Sequence, residues 1–203
     1  MLREKIYELK NWKLAVHTTW NPGAENVMRI HLVPPRFLPG KIVPSVVILN
    51  GQEIVPVSEA WAILLTEFIR RINQYENHAI EEKELQQVLK ETFGAVRKIY
   101  PKTDSEVFRR DLSVMLDTFE DVIAGKIPQT EIAGISLGEY APYMRAPHRM
   151  DLMVSAMTRE GKWHCNQKCI HCYAAGQPLS EEQELDTESW KKIIRACRKA
   201  GIT

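Results

Sequence analysis

SVVILNGQEIVPVS, residues 45–58, sets two short β-prone runs on either side of Asn50-Gly51. Asn-Gly readily takes the positive φ angles of a type I′ turn, so this stretch predicts a β-hairpin. Pro56 has no N–H and cannot donate to a ladder on both sides, which places the second strand at a sheet edge. Upstream, VMRIHLV (27–33) is a candidate third strand. Downstream, Ser58 is positioned as an N-cap, and Trp61, Leu64, Leu65, Phe68, Ile69 and Ile72 fall on one helical face. A second helix starts near Glu81 and carries Leu85, Val88, Leu89, Phe93 and Val96. Thr103 and Glu106 read as the capping box of a third, with Phe108, Leu112, Met115, Leu116, Phe119, Val122 and Ile123 on its buried side and Gly125 closing it. Residues 46–125 are therefore expected to form a hairpin followed by three amphipathic helices. Their apolar stripes are read as core packing.

Outside this segment the pattern changes. Residues 1–45 read as an N-terminal extension that supplies at most the extra strand. Residues 126–150 combine three prolines with no helical period and read as a linker. LMVSAM (152–157) is a short continuous apolar run, the pattern of a strand buried on both faces of a parallel sheet. Thr187 to Ala200 reads as a helix capped by Asp186 or Thr187, with Trp190, Ile193, Ile194 and Cys197 as its stripe and Gly201 ending it. Strand, loop and helix make one βα unit within 151–203.

At 203 residues with 44% hydrophobic and 26% charged, the chain has the composition of a globular protein with a real core. No run is long and apolar enough for a membrane helix, and the first residues lack a secretory pattern, so a cytoplasmic protein without a membrane partner is expected. The net charge of +1 is unevenly spread: residues 46–125 hold nine Lys and Arg against fourteen Asp and Glu. An acidic segment of this kind argues against a nucleic-acid partner, because phosphates need a basic face.

Four cysteines without an export signal, three of them within eight positions, point to a metal site and not to a disulfide framework. Cys165, Cys169 and Cys172 form a C-x3-C-x2-C motif in the loop after the apolar run. Thiolates select iron–sulfur clusters, zinc or copper(I). Structural zinc takes four donors, and here the fourth cysteine, Cys197, lies 25 positions on in a helix, where a buried cysteine behaves as a small hydrophobe. A zinc site completed by His164 or His171 and a redox-sensing cluster remain as alternatives.

With Tyr173 following it and the apolar run preceding it, this motif resembles the signature of the radical S-adenosylmethionine superfamily over about residues 150–203. The resemblance implies a [4Fe–4S] cluster on Cys165, Cys169 and Cys172 with one iron left for S-adenosylmethionine. It also implies an electron supplied by a flavodoxin- or ferredoxin-like donor, and reductive cleavage to methionine and a 5′-deoxyadenosyl radical. His171 and Tyr173 would lie beside the cofactor; the family often has an aromatic residue at the position of His171. The family's glycine-rich motif follows the second strand, beyond Thr203, so turnover is not expected of these 203 residues alone.

Residues 46–125 in turn resemble the small winged-helix domain of the pyrroloquinoline quinone peptide chaperone, on their element order, the Leu49-Asn50-Gly51 turn and the helix pattern. That implies capture of a precursor's leader peptide by strand addition at Glu53, Ile54, Val55 and Val57 beside Phe108, Leu112 and Met115 of the third helix. The same architecture could bind DNA or serve as a structural cap. The expected fold is thus α/β overall, a winged-helix-like α+β domain and then the first βα unit of a partial (β/α) barrel. The expected function is radical modification of a ribosomally made peptide. A modifier of folded proteins, as in the anaerobic sulfatase-maturating group, and a non-enzymatic iron–sulfur regulator are the alternatives.

Overall fold

The computed structural model describes residues 2–11, 16–20, 27–75, 78–132, 135–144, 146–147, 150–155, 158–159, 161–166, 169–172, 184–200 and 202. The chain divides into two units, Met1–His148 and Arg149–Thr203. It mixes α and β structure, and its main sheet is small and antiparallel.

The first unit begins with α1 (Leu2–Asn11) and β1 (Val16–Trp20), followed by β2 (Met28–Val33), β3 (Arg36–Leu38), β4 (Lys41–Val43), β5 (Ser45–Leu49) and β6 (Glu53–Val57). The main sheet runs β1-β2-β5-β6, and β3 pairs with β4 in a two-stranded sheet of its own. The Asn50-Gly51 turn has φ angles of 51° and 73°, and the Gln52 N–H donates to the Leu49 carbonyl at 3.0 Å. The Asn50 side chain also accepts from the Arg29 N–H at 2.8 Å while its own N–H donates to the Arg29 carbonyl, which fastens the turn to β2. Replacing Gly51 by Ala puts a Cβ into the left-handed region. The substitution is expected to lower stability by about 1–2 kcal/mol, read as a shifted urea midpoint.

The edge assignment of the second strand holds: among the described residues β6 pairs with β5 alone, Pro56 opposite Val46 and Val55 opposite Val47. Antiparallel pairs alternate between bonded and non-bonded classes. Having no N–H, Pro56 fits the non-bonded class, which it shares with Ile54. Val55 then bonds inward to β5, and the backbone groups of Ile54 face the open edge.

α2 (Glu59–Ile72), α3 (Glu82–Arg97) and α4 (Ser105–Ile123) follow in the expected order. Ser58 caps α2, its Oγ accepting from the Trp61 N–H. α4 is capped by Asp104 and not by Thr103, the Asp104 carboxylate accepting from the Glu106 N–H at 3.0 Å. A carboxylate also favours the positive end of the helix dipole, which a hydroxyl does not. Gly125, at φ 67°, ends α4 with paired bonds from Gly125 N–H to the Val122 carbonyl and from Lys126 N–H to that of Asp121. α3 starts with a capping box between Glu81 and Glu84. The backbone bond from Glu81, then the His78 side chain, holds the Glu84 carboxyl below its ordinary 4.5. A carboxyl lowered by folding stabilises above its unfolded value, and that contribution is lost as pH falls through the lowered value. Stability should therefore decline below pH 4.5, and Glu84→Gln should remove that part of the dependence in urea titrations repeated across pH.

Both faces of the sheet are covered. On one, Ile30, Leu32, Val47, Leu49, Val55 and Val57 share a core with Phe68, Ile69, Val88, Phe93, Phe108, Leu112, Met115 and Phe119 of the three helices. On the other, Val46 and Ile48 cluster with Val43 and Tyr140, with Ile54, Ile135 and Met144 packed against them. The stretch read as a linker therefore contains core residues. Within it, α5 (Leu137–Tyr140) is capped by Ser136, whose Oγ accepts from the Glu139 N–H, and it brings Tyr140 to 2% exposure. One burial-driving tyrosine and a local cap are enough for a helix too short to show a period.

In the second unit, Leu152 to Ser155 do not form the expected strand, and Val154 is 61% exposed. An apolar run becomes a strand only when a neighbour takes up its backbone bonds, and among the described residues no strand pairs with it; Ala156 and Met157 lie outside them. A hairpin stands next instead, β7 (Thr158–Arg159) with β8 (Lys162–Trp163), turning at Gly161 with φ 67°. α6 (Thr187–Ala200) forms as expected, with Asp186 accepting from the Ser189 N–H at 2.7 Å, bonds that hold its carboxyl below the usual range. Its end glycine, Gly201, lies outside the described residues.

Candidate functional site

The cysteine loop leaves the β7–β8 hairpin directly: Cys165 stands two residues after Trp163 and is half-buried. Cys169 and Cys172 close a turn in which the Cys172 N–H donates to the Cys169 carbonyl at 3.2 Å. At the tip of that turn Ile170 is 94% exposed, and His171 is exposed beside it. Gln167 and Lys168, between the first two cysteines, and Tyr173, expected beside the cofactor, lie outside the described residues. No disulfide joins the four cysteines. Cys197 is half-buried on α6, neither the exposed ligand of a loop nor the fully buried residue expected from its helical stripe.

The chemistry of this donor set fits an iron–sulfur cluster. Three thiols lie within one eight-residue span, two of them on opposite sides of a single tight turn, and all three keep their sulfur out of disulfides. Among the described residues no group of three or more His, Cys, Asp or Glu side chains is gathered into a metal cage. Sites of this kind are commonly assembled by the metal itself, because binding and local folding are one step.

The second candidate is the open edge of β6. Glu53 is exposed and Ile54 half-buried, and the strand's backbone faces outward at Ile54. Val55, Val57, Phe108, Leu112 and Met115 are all buried in the shared core, Met115 completely. Their helical and strand periodicity marks the face that packs inward. A peptide added at this edge meets main chain and the outward residues, while these five side chains support the strand and the helix from within. Sequence reasoning did not find the contribution of Arg29, whose bonds to Asn50 fix the end of the same hairpin. Both bonds use the Arg29 main chain, which leaves no mark in the sequence.

Among the described residues no helix is long and apolar enough to cross a membrane. Comparison of the chain with protein-family models, with curated proteins and with solved structures finds no match.

Proposed function

We propose that this chain belongs to a radical S-adenosylmethionine enzyme that modifies a ribosomally made peptide, with a leader-binding winged-helix-like domain ahead of a cluster-binding loop. The observation that carries this reading is the C-x3-C-x2-C loop itself, with Cys169 and Cys172 on one exposed turn and Cys165 half-buried before it. In the reading, these three thiolates hold a [4Fe–4S] cluster and leave one iron open to the cofactor's amine and carboxylate. When bound, the cluster supplies one-electron reduction of the sulfonium. His171, at the tip of the turn, and Tyr173 flank the nucleoside, and a flavodoxin- or ferredoxin-like protein delivers the electron.

The order of β2, β5, β6, α2, α3 and α4 and the open edge of β6 support the peptide-binding half of the proposal. The leader takes the place of a further strand, with Ile54 N–H and C=O as its nearest backbone partners. Ile54→Pro removes the outward donor without touching the inward bonds of Val55. It should weaken leader binding about tenfold while the domain stays folded, whereas Val55→Pro should break the sheet itself. Titration calorimetry with the leader and circular dichroism of both variants read the difference.

The deciding experiment is anaerobic reconstitution of the full-length protein with iron and sulfide, followed by electron paramagnetic resonance and an assay of reductive S-adenosylmethionine cleavage. About four irons at this site and formation of 5′-deoxyadenosine support the proposal. Stoichiometric zinc in protein purified without oxygen overturns it. Tight, salt-sensitive binding of duplex DNA without leader binding overturns the peptide half.

A further inference from the structure

Between α1, α2 and the end of α3 lies an open cleft of about 510 Å³, within the range of small-molecule sites. Its inner wall is polar and internally satisfied. The Tyr7 hydroxyl donates to Glu67 Oε1 at 2.7 Å, and Arg71 Nη1 meets Glu67 Oε2 at 2.6 Å. Tyr7 and Glu67 are each more than nine-tenths buried. Burial first, then the hydrogen bond to Glu67, pushes the Tyr7 phenol far above its ordinary value, so it stays neutral. Arg71 and Arg70, the latter 3.7 Å from Glu67 Oε1, answer the Glu67 charge, and Arg71 Nε also lies 3.8 Å from Glu91 Oε2, so two arginines balance two carboxylates.

The remaining lining divides into two parts. Ile6, Ala95 and Ile99 are apolar, and Ile6 is left exposed on a protein whose other large apolar side chains of this unit mostly find cover. Arg3 and Lys98 are cationic. Arg3 Nη1 donates to the Lys98 carbonyl at 3.3 Å, which holds the guanidinium against the end of α3. With Glu67 compensated by its own arginines, the charge these residues turn to the cleft is positive. A ligand with a cationic head meets two like charges there. A neutral one gains burial alone.

We propose that this cleft binds an organic carboxylate with an apolar body, its carboxylate at Arg3 and Lys98 and its body along Ile6, Ala95 and Ile99. Its lining residues lie on α1, α2, α3 and the two positions after α3, none of them on β6, and the proposal stands whether or not the peptide-modifying reading does. Such a ligand would bridge α1 and α3, and by binding only the folded chain it would raise apparent stability.

The test is titration calorimetry of the full chain with decanoate, decanol and decylamine, repeated on an Arg3→Ala, Lys98→Ala double variant and on Ala95→Trp. Decanoate should bind, decanol about tenfold more weakly, and decylamine not measurably, since charge-assisted bonds distinguish the three. The double variant should lower decanoate affinity about tenfold and leave decanol unchanged. Ala95→Trp should remove both by filling the cleft. Equal affinity for decanoate and decanol, an unaffected double variant, or decanoate binding that survives Ala95→Trp overturns the proposal. Absence of decanoate binding to the native chain does so as well. If Ala95→Trp does not fold, the double variant decides, since both of its positions are exposed.

Discussion

Replacing Cys169 with alanine is expected to abolish both iron binding and S-adenosylmethionine cleavage in the full-length protein. Of the three clustered cysteines it is the exposed one, so its loss removes a ligand without opening a cavity or disturbing a core. A cube held by three thiolates cannot be held by two, and the fourth cysteine is carried on α6 beyond the span of the loop. Iron should fall from about four per site to background, with the cluster's absorption and resonance signals lost. The same change at Cys165 or Cys172 should act alike, whereas Cys197→Ala should retain cluster and activity. Full cleavage activity in the Cys169→Ala protein would remove the basis of the assignment. Comparison of Cys169→Ala with Cys197→Ala separates loss of a ligand from general sensitivity to thiol removal.

The largest stability effect is expected at Phe119. Its side chain is fully buried where α4 meets the helical face of the sheet, in one core with Phe68 and Met115. Phe119→Ala removes a ring from a close-packed interior that can relax only in part, and such changes lower stability by about 3–5 kcal/mol. Against a typical domain stability of about 5–15 kcal/mol, this takes roughly a fifth of the total or more. Chemical unfolding of the first unit should show a lowered midpoint with an unchanged slope. Thr118, the preceding residue, is buried too, yet its Oγ1 donates to the Val114 carbonyl at 2.6 Å. Thr118→Val should be far milder, because both keep a branched side chain of similar shape.

The parts of the fold that were legible in the sequence are those specified by local chemistry. Asn50-Gly51 takes the two positive φ angles its residues favour, Pro56 lies on an edge strand, and Ser58 caps α2. The buried stripes of α2, α3 and α4 follow their periodicity, since a helix with one apolar face can satisfy it in only one orientation. What escaped notice depends on partners elsewhere in the chain. Among the described side chains of α1, Leu2 and Ile6 are exposed and Tyr7 is buried, so its apolar pattern is thin among charges. The β3–β4 hairpin turns at Pro39-Gly40, with Gly40 at φ 75°, a recognisable turn signal flanked by strands of only three residues. The apolar run from Leu152 shows the converse, a strand-like composition that finds no paired neighbour among the described residues.

The candidate site divides in the same way. The spacing of Cys165, Cys169 and Cys172, on which the proposed cluster rests, is written in the sequence, whereas a metal site that is assembled by its own ion leaves no preformed cage to read. At the β6 edge, the resemblance implied peptide contacts at Val55, Val57, Phe108, Leu112 and Met115, and the structure gathers these five side chains in one core. Backbone groups carry no sequence signal of their own. It took the register against β5 to identify Ile54 as the residue whose main chain faces outward.

The seating of Ile135, Tyr140 and Met144 against the far face of β5 has a bearing on modularity. A domain that ended at Gly125 would carry all four strands and the three long helices, yet it would leave Val46 and Ile48 uncovered and offer a sticky apolar plane to other chains. The smallest portable piece runs from α1 through about Met144. A recombination event that moved only the hairpin and helices would transplant an aggregation-prone half. In a natural fusion or an engineered swap, the junction that preserves solubility therefore belongs after the short capped helix, some twenty residues past the place where the long helices end.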